Sequence, residues 1–173
     1  MLARLLVDKG YHVHGSSRDA QMNDFGNLRR VGVRDHVTVH SAVTTDFRSV
    51  AQLLSKTSPA EVYLLAGQSS VGLSFEQPVE TLESIALGTL NVLEAIRFLG
   101  LPTRLYHAGS SECFGDHPFA ADESTAFRPR SPYAVAKACA HWTVANYREA
   151  YGLYLSLIHI SEPTRLRRIS YAV

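Results

Sequence analysis

Glu61-Val62-Tyr63-Leu64-Leu65-Ala66, closed by Gly67, is a continuous apolar run of the length of a buried strand. Downstream, Arg104-Leu105-Tyr106-His107-Ala108 reads as a second strand and ends in Gly109-Ser110-Ser111. Between them the segment from about Pro78 to Leu99 carries Leu82, Ile85, Leu90, Leu93 and Ile96 and stops at Gly100, which predicts a long helix. Strands apolar throughout, rather than on alternate residues, are those covered on both faces. A strand–helix–strand unit of this kind predicts an α/β fold built on a doubly wound parallel sheet.

The same alternation extends both ways. Upstream, residues 2–9 read as a helical stub with Leu2, Leu5 and Leu6 on one face, followed by strands at 11–15 and 36–40. A short helix is expected at 25–31. Thr45 or Asp46 can cap another over 47–56, with Val50, Leu53 and Leu54 on its apolar face. Downstream, Ser131 and Pro132 supply an N-cap and a first helical residue, and Gly152 a stop. A further strand can begin near Leu153. Residues 67–76 and 109–131 read as loops.

Composition agrees with such a domain and narrows the function classes. The 173 residues are 46% hydrophobic and 19% charged, with a net charge of +1. That balance offers no basic footprint for nucleic acid. No apolar run reaches the ~20 residues of a membrane span. Two cysteines, Cys113 and Cys139, are too few for a disulfide framework, so they are expected to be small core fillers in a reducing, cytoplasmic setting. Trp142 and Tyr147 read as packing residues.

In parallel α/β sheets ligands bind beyond the carboxyl ends of the strands, so chemistry is sought in the exit loops at 16–20, 67–76 and from 109 onward. Tyr133-Ala-Val-Ala-Lys137 is the strongest signal. Residues four apart share a helix face, and an ammonium beside a phenol favours the phenolate, making the tyrosine a proton shuttle. Ser110-Ser111-Glu112, at a strand exit, offers hydroxyls and a carboxylate for acid–base work. Gly15-Ser16-Ser17-Arg18 follows a strand where dinucleotide folds read the adenosine ribose. Arginine there suits a 2′-phosphate, although Asp19 is adjacent. Ala66-Gly67-Gln68-Ser69 would let backbone approach a ribose or nicotinamide closely. His12 and His14 share one strand face, but no cysteine or carboxylate completes a ligand set, so no metal site is expected.

With these motifs in order, the chain resembles the extended short-chain dehydrogenase/reductases and, within them, the GDP-mannose 4,6-dehydratase family. The likeness is carried by Gly10-Tyr-His-Val-His-Gly-Ser-Ser-Arg18, Leu65-Ala-Gly-Gln-Ser-Ser-Val-Gly-Leu-Ser-Phe-Glu76, Gly109-Ser-Ser-Glu-Cys-Phe-Gly115, Arg128-Pro-Arg-Ser-Pro-Tyr-Ala-Val-Ala-Lys137 and Asn146-Tyr-Arg-Glu-Ala-Tyr-Gly152. The resemblance implies a Rossmann-like domain that binds NADP through Arg18, Leu65, Ala66, Gly67, Gln68, Ser69, Tyr133 and Lys137. It implies a nucleotide-sugar substrate, GDP-mannose, held near Ser74, Ser110, Ser111 and Glu112, with catalysis by Ser110, Glu112, Tyr133 and Lys137. Tyr133 would take the 4-hydroxyl proton, Glu112 the C5 proton, and Ser110 would stand near the departing 6-hydroxyl, in a homo-oligomeric enzyme.

The departures are as informative. Val43-Thr44 stands where many relatives have Asp-Leu, and Glu80 where some have tyrosine. The expected first strand with its glycine-rich phosphate turn, and the expected C-terminal substrate domain, have no counterpart in the sequence. The likeness therefore predicts a partial NADP-binding domain over residues 1–155, a non-native or divergent tail over 156–173, and no activity from this polypeptide alone. Two rival readings remain: a dehydratase or epimerase for another nucleotide sugar, and a non-catalytic NAD(P)-binding module.

Overall fold

The computed structural model describes residues 1–116, 120–122 and 124–158. Helix α1 (Leu2–Asp8) leads into β1 (Val13–Ser17), then α2 (Gly26–Arg30), a 3-10 turn, and β2 (Val37–Ser41). Next come α3 (Phe47–Thr57), β3 (Glu61–Leu64), and the rod of α4 (Val71–Glu76), α5 (Pro78–Leu82), a π-helical turn (Glu83–Leu87) and α6 (Gly88–Phe98). The described residues close with β4 (Arg104–Ala108), a 3-10 turn (Ser111–Phe114), α7 (Pro132–Tyr151) and β5 (Leu155–Ile158). The expected α/β alternation is therefore present, every pairing is parallel, and no peptide bond among the described residues is cis.

The strands form two sheets. β1 pairs with β2 from Val13↔Val37 to Ser17↔Ser41. β4 lies between β3 and β5, in register from Glu61↔Arg104 and from Leu105↔Leu155. Among the described residues no strand joins β1 to β3. Tyr11, ahead of β1, reaches across to donate a hydrogen bond to Glu61 at the start of β3, with an O···O distance of 3.4 Å. Both strands thus enter from the same side.

The main core fills the α face of the three-stranded sheet. Val50 and Leu54 of α3, Val92, Leu93 and Ile96 of α6, and Val144 and Tyr147 of α7 close over Leu64, Leu105 and Leu155. A smaller cluster sets Ile85 of the π turn against Ala136 and Ala140 of α7, with Tyr133 packed on it. Small residues four apart let the two helices approach closely enough for Ile85 to be fully enclosed.

Caps behave as their chemistry requires. Asp46 accepts from the Arg48 amide, Ser131 from Ala134, and Gly152 closes α7 at φ 65°. Four expectations change. The strand expected at 11–15 begins at Val13, because Tyr11 still closes α1 by donating to Leu6. The expected loop at 67–76 contains α4, capped by Ser70. Cys113 is buried as expected, but Cys139 faces outward on α7. Trp142 is also largely exposed, with the rings of Phe127 and His141 against it. Of the segment from 156 onward, residues 156–158 continue β5, and the remainder lies outside the described residues.

Candidate active site

Three chain segments converge at the carboxyl ends of β3 and β4. There a cavity of about 570 Å³ is walled by residues 65–69, Ala108, Gly109, Tyr133 and Lys137. That volume falls in the range of ~300–1,000 Å³ typical of ligand pockets. Gly67 bends the first wall at φ 135°, and a Cβ there would stand 2.9 Å from the Ile85 side chain. Neither the backbone angle nor the space admits a larger residue. The Gln68 amide donates to Ser84 in the π turn at 3.2 Å, which fixes the loop to the rod behind it.

The second wall is the start of α7. Ser131 and Pro132 begin the helix so that Tyr133 and Lys137 follow on one face, above Ala136 and Ala140. Lys137 sits 5.9 Å from the Tyr133 ring centre and donates to the Ala108 carbonyl at 3.1 Å. Burial lowers its pKa.

The third segment is the exit of β4. Ser110 opens the 3-10 turn by accepting from the Glu112 amide at 3.3 Å, and its hydroxyl hydrogen-bonds the Tyr133 phenol. Behind the turn, Gly115 at φ 63° is forced by the Arg128 carbonyl, which a Cβ would meet at 2.1 Å. The Tyr133 pKa is raised, first by burial and then by its Cys113 and Glu112 neighbours, against the lowering pull of Ser110. Without ligand, then, the phenol keeps its proton while Lys137 is committed to Ala108. The direct lowering of Tyr133 by Lys137 expected from their spacing is not the arrangement found here.

The structure brings together Leu65, Ala66, Gly67, Gln68, Ser69, Tyr133 and Lys137, and sets Ser110 and Glu112 beside the phenol. Ser111 is exposed on the same turn. Arg18 stands apart from this cavity, beyond the end of β1, 3.9 Å from Glu80. Ser74 does not reach the cavity: it is fully buried, and its hydroxyl donates to the Val71 carbonyl at 2.6 Å.

Sequence reasoning missed the residues that hold the site in place. Ile85 touches both Gly67 and the Ala136–Ala140 face. His107, 2% exposed, lies beneath Lys137 with its pKa lowered to about 4 by burial and then by the charges of Lys137 and His141. Thr89 donates to the Ile85 carbonyl at 2.6 Å, so its contact with His107 Nε2 at 3.3 Å is donated by the imidazole. The Nδ1 lone pair is left without a partner among the described residues. Alanines four apart on α7 were the only sequence signal for this close helix contact.

A parallel α/β fold with a Tyr-x-x-x-Lys helix beside a strand-exit Ser-Ser-Glu marks a chain of the extended short-chain dehydrogenase/reductase class. The comparisons with known proteins agree. The family model described as GDP-mannose 4,6 dehydratase matches residues 1–170. The GDP-mannose 4,6-dehydratase of Sinorhizobium fredii is 43% identical over 163 residues, spanning 90% of this chain and 46% of that protein. Its counterpart in Vibrio cholerae is 44% identical over 163 residues, spanning 88% and 43%. The UDP-glucose 4-epimerase of Thermus thermophilus, solved in complex with NAD, superposes with a TM-score of 0.79 at 29% identity, over 90% of this chain and 49% of that one. The chain belongs to the GDP-mannose 4,6-dehydratase family. It spans a little under half the length of the curated relatives it matches.

Proposed function

We propose that this chain forms part of an NADP-dependent GDP-mannose 4,6-dehydratase, a hydro-lyase acting on GDP-mannose. The observation that carries the reading is the meeting of Tyr133, Lys137 and residues 65–69 at one cavity, with Ser110 against the phenol and Glu112 on the same 3-10 turn. The residues present suit the nicotinamide-ribose end of the cofactor. A positive-φ glycine gives close backbone approach, and Lys137 offers an ammonium to ribose hydroxyls. Arg18, its side chain 83% exposed at the end of β1, would meet a 2′-phosphate, with Glu80 as the opposing charge.

When bound, the nicotinamide supplies a hydride acceptor for C4 and a hydride donor for C6 of the sugar. Tyr133 takes the 4-hydroxyl proton, which requires Lys137 to turn from Ala108 toward the phenol and stabilise the phenolate. Glu112 removes the C5 proton once the C4 ketone has acidified it. Ser110, already hydrogen-bonded to Tyr133, donates toward the departing 6-hydroxyl. We further propose a cytoplasmic homo-oligomer. Val79, Leu82, Leu87, Leu90 and Phe98 recur along the α5–α6 rod with 36% or more of each exposed, and Val135 and Trp142 lie two turns apart on α7. A second copy covering them suits apolar stripes of this kind. No helix among the described residues is long and apolar enough to cross a membrane.

The test grafts residues 1–155 in place of the matching segment of the Vibrio cholerae relative. The chimera should turn GDP-mannose into a 4-keto-6-deoxy product, and in deuterated water it should carry solvent deuterium at C5. Glu112→Gln should lower both by about 10²-fold or more. Epimerised sugar without loss of water would assign a different reaction. Unchanged turnover in Glu112→Gln would remove the carboxylate from its role.

A further inference from the structure

β4 brings two consecutive groups to the site, and the proposed chemistry uses only the second. The Ala108 carbonyl accepts from Lys137 at 3.1 Å. The residue before it, His107, is 2% exposed and carries a buried imidazole that no catalytic step needs. Its Nε2 stands 3.3 Å from Thr89 Oγ1, whose own proton is committed to the Ile85 carbonyl at 2.6 Å. The imidazole therefore donates from Nε2, and Nδ1 keeps the lone pair, with no partner among the described residues. Burial, then Lys137 and His141, lower the pKa to about 4, so the ring is neutral at pH 7 and the Nε2–H tautomer alone fits the Thr89 contact.

The bond from His107 falls where the rod departs from regular α-helix. Ser84 lies in the π turn and Thr89 two residues beyond it. Each hydroxyl donates to a carbonyl one turn earlier, Ser84 to Thr81 at 3.3 Å and Thr89 to Ile85. Each also accepts from a different element, Ser84 from the Gln68 amide at 3.2 Å and Thr89 from His107. Between these two anchors Ile85 presses on Gly67 and on the Ala136–Ala140 face. A π turn is an irregular insertion in the helical ladder, so ties on both sides of Ile85 select one placement of its side chain. We propose that His107 is a positioning residue of this site: through Thr89 it fixes the π turn, and through Ile85 and Ser84 it holds the 65–69 wall in the place that meets the nicotinamide ribose. The ligand at that wall rests on the proposed function, whereas the anchor rests on the contacts of β4, the π turn and α6 alone.

The test uses the whole 173-residue chain. Ring-nitrogen NMR at pH 7 should find His107 as the Nε2–H tautomer. An asparagine amide reaches only the depth of Nδ1 and a glutamine amide the depth of Nε2, so only glutamine can still donate to Thr89. The Gln68 amide should therefore exchange about tenfold faster in His107→Asn and stay within about threefold of the parent in His107→Gln. On a Thr89→Val background, adding His107→Asn should change that exchange by less than about twofold, because the partner is already gone. In the chimera with the Vibrio cholerae relative, His107→Asn should lower kcat about tenfold with KM for GDP-mannose within about threefold, and His107→Gln should restore kcat. An Nδ1–H tautomer, parental Gln68 exchange in a folded His107→Asn chain, or equal losses in the Asn and Gln variants overturns the proposal. Should His107→Asn unfold, the tautomer of the parent decides alone. A parent chimera without dehydratase activity would count against the proposed function and leave the exchange result standing.

Discussion

Burial and one hydroxyl act in opposite directions on the Tyr133 phenol. Enclosure against Ile85 and Ala136 raises its pKa above the ordinary tyrosine value of 10.0, and the hydrogen bond from Ser110 pulls it back. Ser110→Ala removes only the lowering contribution, so the phenol should titrate at higher pH than in the parent chain. A pH series on ring-labelled tyrosine by NMR reads this directly, and a phenol that moves downward would show that Ser110 does not stabilise the phenolate. At this scale the residue types were legible in the sequence, because Tyr-x-x-x-Lys and Ser-Ser-Glu announce their chemistry through spacing. Their electrostatic state was not, since it depends on how deeply α7 is packed and on Lys137 finding the Ala108 carbonyl.

Between α6 and α7 the helices are joined by a polar clamp as well as by core. Glu94 takes paired hydrogen bonds from Arg97, both at 2.8 Å, and one from the Tyr147 hydroxyl at 2.5 Å. Those bonds hold the Glu94 pKa at about 2 against an ordinary 4.5, while burial and Glu94 push Tyr147 up to about 12. A carboxylate whose folded pKa is depressed stabilises the fold above its unfolded value and loses that contribution as pH falls through the folded one. Stability from this clamp should therefore be complete above pH 4.5 and vanish as pH falls through 2. Tyr147→Phe should cost about 1–2 kcal/mol at pH 7 and leave a smaller acid-dependent loss that is complete at a higher pH than in the parent, measured by urea unfolding across the acid range. Equal acid sensitivity in the variant and the parent would show that Tyr147 does not contribute to Glu94. Elements with strong chemical punctuation were legible: Ser131-Pro132 and Gly152 bound α7 as read. The π turn was not, because an extra residue per turn leaves no mark in apolar spacing. It arises where Ile85 must face both Gly67 and α7.

At the scale of the molecule, the fold class was legible from alternating strands and helices, while the division into two sheets depends on long-range pairing. Order 2-1 beside 3-4-5 is that of a doubly wound sheet lacking hydrogen bonds between its halves among the described residues. The consequence is uneven local stability. β4 is paired on both edges and covered by α6 and α7, whereas β1 and β3 each have a neighbour on one edge only among the described residues. The β1–β2 pair adds only Val37 to the buried apolar set and is tied to the larger sheet by the Tyr11–Glu61 bond. Opening free energies follow buried contacts and paired amides, so β1–β2 should open well before the rest. Native-state hydrogen exchange followed by mass spectrometry should find β4 amides exchanging slowest and those of β1 at least about tenfold faster, a difference of ~1.4 kcal/mol in opening. Tyr11→Phe should speed exchange in β1 and leave β4 unchanged, because it removes a tie between the sheets and nothing within either. Uniform protection across β1 and β4 would mean that the two sheets open as one cooperative unit.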